Sequence, residues 1–177
     1  MSHWLKFIIE PSNYAHDYES NLQSQRFHGF GTPAVKKIST LEQNKYYEDF
    51  IKKSFFIKKP KIIIFSFLLS GRCIGYGGLT NINWTKKSSE LSFILDTKRA
   101  QNSKIYEKEF KIFLKLILKL NDEQIKFKKI FSETYNIRPK HLRILENVGF
   151  RYRKIKRNFI KIHGKYVDSL IHEYKLN

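Results

Sequence analysis

The sequence predicts a mixed α/β (α+β) fold: a central, mainly antiparallel twisted sheet of six to seven strands, flanked by helices and closed by a C-terminal β-hairpin. Three observations predict it. Two β-rich apolar runs, KIIIFSFLL (61–69) and CIGYGGL (73–79), are separated only by Ser70-Gly71-Arg72, which reads as a hairpin turn. YEKEFKIFLKLILKL (106–120) gathers Phe110, Phe113, Leu114, Ile117, Leu118 and Leu120 on one broad apolar face, the pattern of a buried helix. The tail alternates as two strands, 151–162 and 166–174, turned by His163-Gly164-Lys165.

The elements follow in order. Residues 4–9 (WLKFII) predict a first strand, and the polar, aromatic stretch 13–38 a short helix and loop. Ser39 and Glu42 form a capping box, and Leu41, Tyr46, Tyr47, Phe50, Ile51 and Phe55 follow at helical spacing; that helix ends before Pro60. After the hairpin and a loop over 81–88, SELSFILD (89–96) is a third strand of the meander. A loop leads to the 106–120 helix, KKIFSETY (128–135) is a strand, and Asn136-Ile137-Arg138-Pro139 opens a short helix stopped by Gly149, a left-handed C-cap. Gly75, Gly77 and Gly78 follow a hairpin turn and lead into a strand. They therefore read as bulge or close-approach positions and not as a phosphate loop, which belongs between strand and helix.

The 177 residues are expected to form one domain, 1–177, with a core that needs no staples. Cys73 is the only cysteine, which excludes a disulfide framework and a cysteine-based zinc site. The six histidines (His3, His16, His28, His141, His163, His172) show no ligand spacing, so no metal is expected. The N-terminal apolar run is broken by Glu10 and Pro11, and the run over 62–70 is far shorter than the roughly 20 residues of a spanning helix. A soluble cytoplasmic protein, monomer or homodimer, is the expectation. The net charge is +18, from 34 Lys+Arg against 16 Asp+Glu. AT-biased coding and solvated surface account for part of the lysine. The remainder points to an anionic ligand: nucleic acid, a phosphorylated cofactor or a nucleotide-linked substrate.

CIGYGGLTNINW, SELSFILD and RILENVGFRYRKIKRNFIKIHGKYVDSLIHEYKL resemble, in order, the second and third strands, the fourth strand and the C-terminal signature of the GNAT-type (Gcn5-related) N-acetyltransferases. The resemblance spans 60–177 well and the first 60 residues loosely. It implies the GNAT fold, acetyl-CoA as acyl donor and direct transfer to an amine. FSFLLSGRCIGYGGLTNINW with GKYVDS is most similar to the branch that acetylates nucleotide-linked amino sugars for surface polysaccharide or nonulosonic acid synthesis. Ribosomal-protein N-terminal acetylation is the alternative branch.

Such a transfer needs a base for the acceptor ammonium, donors for the thioester oxygen and an acid for the leaving thiolate. The resemblance places the thioester where the fourth strand splays from the fifth, on the backbone of Phe93, Ile94 and Leu95. It places the pyrophosphate on the next loop, at a helix N-terminus. Family members carry Arg/Gln-x-x-Gly-x-Gly/Ala there. This chain has no glycine in that loop, which leaves Arg99, Gln101, Asn102, Ser103 and Lys104 as candidates. Asn136 would bond the pantetheine amide or serve as a helix N-cap. The family's acid, a tyrosine four residues before Gly-Phe, is Leu145 here. Glu90 and Glu133 are candidate bases or salt-bridged structural carboxylates, and Tyr135 is a candidate acid. His28, Tyr76, Asn83 and Trp84 are candidate acceptor contacts, with Arg151, Arg153, Lys154 or Arg157 meeting its phosphates. Two rivals remain. The basic stretch 151–165, with Tyr152 and Phe159, would suit nucleic acid. The missing glycines and tyrosine would suit a degenerate, non-catalytic partner-binding fold.

Overall fold

The computed structural model describes residues 7–11 and 39–176. Its strands are β1 (Phe7–Pro11), β2 (Ile63–Leu69), β3 (Arg72–Asn83), β4 (Ser88–Leu95), β5 (Lys129–Tyr135), β6 (Arg151–Ile162) and β7 (Lys165–Lys175). They form one sheet in the order β1-β2-β3-β4-β5-β7-β6, antiparallel throughout except for the parallel pair β4–β5. The helices are α1 (Thr40–Tyr46), widened into a π turn to Lys52, α2 (Thr97–Gln101), α3 (Ser103–Leu120) and α4 (Pro139–Val148).

The expectation for 13–38, and residues 4–6 of the first strand, lie outside the described residues. The capping box is present: Ser39 N–H donates to Glu42 Oε2 at 2.8 Å, and Glu42 N–H to Ser39 Oγ at 3.2 Å. The loop expected before residue 106 is instead helical. Asp96 Oδ1 accepts from Arg99 N–H and starts α2, and Asn102 Oδ1 accepts from Lys104 and Ile105 N–H and starts α3. Those first turns bury only Ala100 and Tyr106 among mostly polar neighbours, so they carry no apolar periodicity for a sequence reading to find. α4 begins at Pro139, not Asn136; proline suits the first helical turn, where its missing N–H has no intrahelical partner to lose. Gly149, at φ 112°, ends it in the left-handed region.

α3 buries Phe110, Phe113, Leu114 and Ile117 against Phe67, Leu79, Leu95 and Ile130 of the sheet. Truncating a ring such as Phe113 to alanine would cost about 3–5 kcal/mol. The fit explains a glycine in CIGYGGL. A Cβ on Gly77 would lie 2.2 Å from Ser92 O and 3.0 Å from Phe113 Cζ, so β3 passes where no side chain can stand. The stretch lies wholly within β3.

One irregularity of the sheet positions the site. β4 and β5 pair only at Ser88–Lys129, Ser89–Ile130 and Glu90–Phe131. β4 stays paired to β3 as far as Leu95, and β5 to β7 as far as Tyr135. Beyond Glu90 and Phe131 the facing edges of β4 and β5 therefore diverge, and Leu91–Leu95 keeps one backbone edge without a strand partner. Among the described residues no helix is long and apolar enough to cross a membrane.

Candidate functional site

Side chains alternate across a sheet, so the registers sort them by face. Leu91, Phe93 and Leu95 of β4, and Ile130, Ser132 and Thr134 of β5, lie toward the helices. Glu90, Ser92 and Ile94, with Glu133 and Tyr135, lie on the opposite face, and Ser169 of β7 and Lys156 of β6 share it. Two carboxylates and a phenol thus meet beside the opening between β4 and β5.

The two carboxylates are held differently. Glu133 receives Lys156 Nζ at 2.9 and 2.8 Å on its two oxygens and Ser169 Oγ at 2.7 Å. Lys156 Nζ also lies 4.7 Å from the centre of the Phe159 ring. Among the described residues the Glu90 carboxylate accepts only from a neutral group: Asn81 Nδ2 donates to its Oε2 at 2.6 Å. Asn81 sits in the register shift of β3 with φ 48°, a conformation asparagine tolerates. Burial pushes the Glu90 carboxyl above its ordinary range. The Asn81 bond opposes that shift, the charge of Glu133 adds to it, and that of Lys156 opposes it. Tyr135 is pushed upward by burial and then by Glu133 and Glu90, so its phenol stays protonated. Of the alternatives the sequence left open, Glu133 is salt-bridged and Glu90 has no cation within ion-pair distance among the described residues.

The expected phosphate loop departs from the sequence reading. Arg99 is not available to a phosphate: its Nε donates to Glu109 Oε2 at 2.9 Å, its Nη2 bonds Oε1, and Glu109 is only 3 % exposed. Asn102 faces inward to its own helix, taking the N–H groups of Lys104 and Ile105. Ser103 Oγ accepts from Lys140 Nζ of α4 at 2.9 Å. Gln101 and Lys104 are exposed, as are Lys98 and Lys140. The donor set still fits a pantetheine chain with a phosphorylated end. It offers an open β4 edge followed by a helix N-terminus ringed by Lys98, Lys104 and Lys140, once Asn102 gives up the two N–H groups.

The remaining candidates are dispersed. Phe93 stacks on Phe110 at 5.0 Å and Leu95 is buried, so their side chains are core and only their backbone borders the opening. Ile94 is half-buried on the opposite face, across from Tyr76. Asn136 is not the helix cap, a position Arg138 takes; its N–H donates to Asp168 O at 2.9 Å. Asn83 and Trp84 lie at the far end of β4, away from the opening. Asn83 Oδ1 holds Lys86 N–H in the turn, while Trp84 Nε1 donates to Pro60 O at 2.7 Å and its ring meets Phe127. Both have structural work there. His28 lies outside the described residues. Leu145 is fully buried core. Arg153 approaches Glu173 at 3.6 Å, whereas Arg151, Lys154 and Arg157 are exposed.

Sequence reasoning missed Asn81, Lys156 and Ser169, which act across strands and carry no local signature. It also missed a buried network between the starts of α3 and α4. Tyr106 OH lies 2.6 Å from His141 Nδ1 and accepts from Arg138 Nη2 at 2.8 Å, with His141 stacked 4.4 Å from Phe110. Burial, then the charges of Arg138 and His172, hold His141 well below the ordinary histidine range. Among the described residues no group of three or more His, Cys, Asp or Glu could hold a metal ion.

Comparison with known proteins gives a consistent result. A family model described as an acetyltransferase (GNAT) domain matches residues 16–171. No curated protein sequence matches the chain. Among solved structures, the spermidine N-acetyltransferase of Vibrio cholerae in complex with CoA and spermine superposes with a TM-score of 0.75 at 16% identity, over 98% of this chain and 96% of that one. An N-acetyltransferase from Staphylococcus aureus Mu50 gives 0.74 at 13% identity over 97% and 99%. A ribosomal-protein-alanine N-acetyltransferase from Brucella melitensis gives 0.72 at 12% identity over 97% and 100%. At these identities the structural likeness speaks for the fold.

Proposed function

The chain belongs to the GNAT acetyltransferase family, an N-acetyltransferase family that uses acetyl-CoA, and on that premise we propose that Glu90 is the base that frees the acceptor amine. The observation that carries this is the contrast between the two carboxylates. Glu133 is committed to Lys156 and Ser169, whereas Glu90, half-buried and held among the described residues by Asn81 alone, has an affinity for protons raised by its surroundings. A carboxylate whose proton affinity is raised in this way is a stronger base than an ordinary surface carboxylate.

Bound acetyl-CoA supplies the activated acetyl group as a thioester. The open edge of β4 at Leu91–Leu95 holds the pantetheine chain and directs N–H groups at the thioester oxygen. Lys98, Lys104 and Lys140, with the first turn of α3, hold the phosphates. Glu90 removes the ammonium proton of the acceptor. Tyr135, kept protonated by burial and by both carboxylates, supplies a proton on the same face in place of the tyrosine that Leu145 replaces.

The acceptor we propose is a nucleotide-linked amino sugar of surface polysaccharide or nonulosonic acid synthesis. The net charge of +18 and the exposed Arg151, Lys154 and Arg157 beside the site favour an anionic acceptor. A polyamine is the second reading, favoured by the carboxylate pair and by the spermidine enzymes among the structural neighbours. Calorimetric titration with acetyl-CoA, then thiol release with nucleotide amino sugars, spermidine and N-terminal peptides, tests both levels. The expected result is cofactor binding and turnover with the nucleotide sugars. Turnover with spermidine alone would replace the acceptor, and absence of acetyl-CoA binding would sink the transfer reading.

A further inference from the structure

We propose that Lys156 is an internal acceptor, acetylated by the chain itself, an inference that rests on the transfer reading above. Among the described residues, Lys156 carries the one amine within ion-pair distance of either carboxylate of the site. It starts on β6, the edge strand, opposite Ser169 of β7, which is itself opposite Tyr135 of β5. Its side chain therefore reaches across β7 to Glu133, on the face that carries Glu90 and Tyr135. Two contacts fix the ammonium there: the Glu133 carboxylate at 2.8 Å and the Phe159 ring at 4.7 Å. An acceptor amine approaching the carboxylates from outside would meet this position already filled by an amine.

The step balances without a further reagent. One ammonium proton of Lys156 passes to the carboxylate pair, and the Nζ lone pair forms a bond to the acyl carbon. The carbon–sulfur bond breaks, and CoA leaves as the thiol with one proton. Lys156 becomes a neutral amide, Glu133 loses its counter-ion, and the tethered amine no longer competes with an external acceptor. The reaction is self-limiting at one acetyl group per chain.

Incubation of the full chain with isotope-labelled acetyl-CoA and no acceptor, read by intact mass and peptide mapping, tests this. The expected result is a single label on Lys156, first-order and independent of protein concentration. It should be slowed in Glu90→Gln and absent in Lys156→Arg, which keeps the ion pair. A second readout needs no cofactor. In Glu133→Gln, labelling from acetyl-CoA should fall while the reactivity of Lys156 toward acetic anhydride rises, because the amine is released from its carboxylate. Parallel changes of the two would overturn the proposal. So would an unlabelled Lys156 in a protein that acetylates external amines, or label spread equally over exposed lysines in wild type and Glu90→Gln. If acetyl-CoA does not bind at all, the transfer reading fails and this inference with it.

Discussion

Arg99 and Glu109 form a two-pronged ion pair, the Nε and Nη2 edge of the guanidinium engaging both oxygens of a carboxylate of α3 that lies almost wholly out of solvent. This converts a residue expected to meet phosphate into a brace between α2 and α3. Arg99→Ala leaves a buried carboxylate without its partner. Because Arg99 remains 30% exposed, the cost should be about 2 kcal/mol, less than the loss of a fully buried pair. Urea denaturation measures it. A loss of acetyl-CoA affinity with unchanged stability would return Arg99 to the phosphate site.

Asn102 has the opposite position: it competes with the ligand. Its Oδ1 holds the two N–H groups that a phosphate would take. Asn102→Gly should cost only about 0.3 kcal/mol of stability, since glycine is a tolerable cap. It should tighten acetyl-CoA binding by about three- to tenfold, the worth of one ordinary hydrogen bond. Calorimetry with both proteins reads the difference. Weaker binding would mean that Asn102 contacts the cofactor directly.

Glu90 should trade stability against rate. Its folded pKa is raised above the ordinary 4.5, so the fold favours the protonated form. That contribution is complete below about pH 4.5 and is lost as pH rises through the raised value. Glu90→Gln should therefore be more stable than wild type at neutral pH, with the gap closing in acid. Acetyl transfer should fall by about 100-fold, and the acid limb of the kcat/KM profile should disappear. Denaturation at two pH values and a pH–rate profile check the two halves separately.

His141 sets an acid limit on the fold. Its folded pKa lies below the ordinary 6.5, so the unfolded chain takes up the proton first. Stability from neutral His141 is intact above about pH 6.5 and declines as pH falls through the window beneath it, by at most about 1.4 kcal/mol per pH unit for one proton. His141→Phe should flatten that part of the stability profile while keeping the stack on Phe110. An unchanged profile would assign the acid sensitivity to other groups.

What could be read from the sequence was what repeats along it. Alternation gave the meander and the C-terminal hairpin, and the apolar face of 106–120 gave the helix under the sheet. Gly149 and the Ser39–Glu42 pair marked helix ends because their chemistry is local. The starts of α2 and α3 escaped, since caps by Asp96 and Asn102 precede turns that bury one residue each, Ala100 and Tyr106, too few to show a period. The site was half legible for the same reason. Glu90 and Glu133 stood out as carboxylates among apolar residues, but which of them is neutralised depends on Lys156, more than twenty residues beyond Glu133 and two strands away. Trp84 shows the converse: an aromatic beside polar neighbours suggests a ligand, until the carbonyl of Pro60 and the ring of Phe127 account for it.

The divergence of β4 from β5 also makes the sheet two plates, β1 to β4 and β5 to β6, joined along their backbones by three residue pairs. The extended pantetheine arm of the proposed cofactor, lying in that wedge, would act as a temporary eighth strand that mends the seam between them. The donor of the acetyl group is then also a mechanical part of the enzyme. Melting temperature should climb with CoA concentration, and hydrogen exchange at Leu91–Leu95 should slow before any acceptor is present.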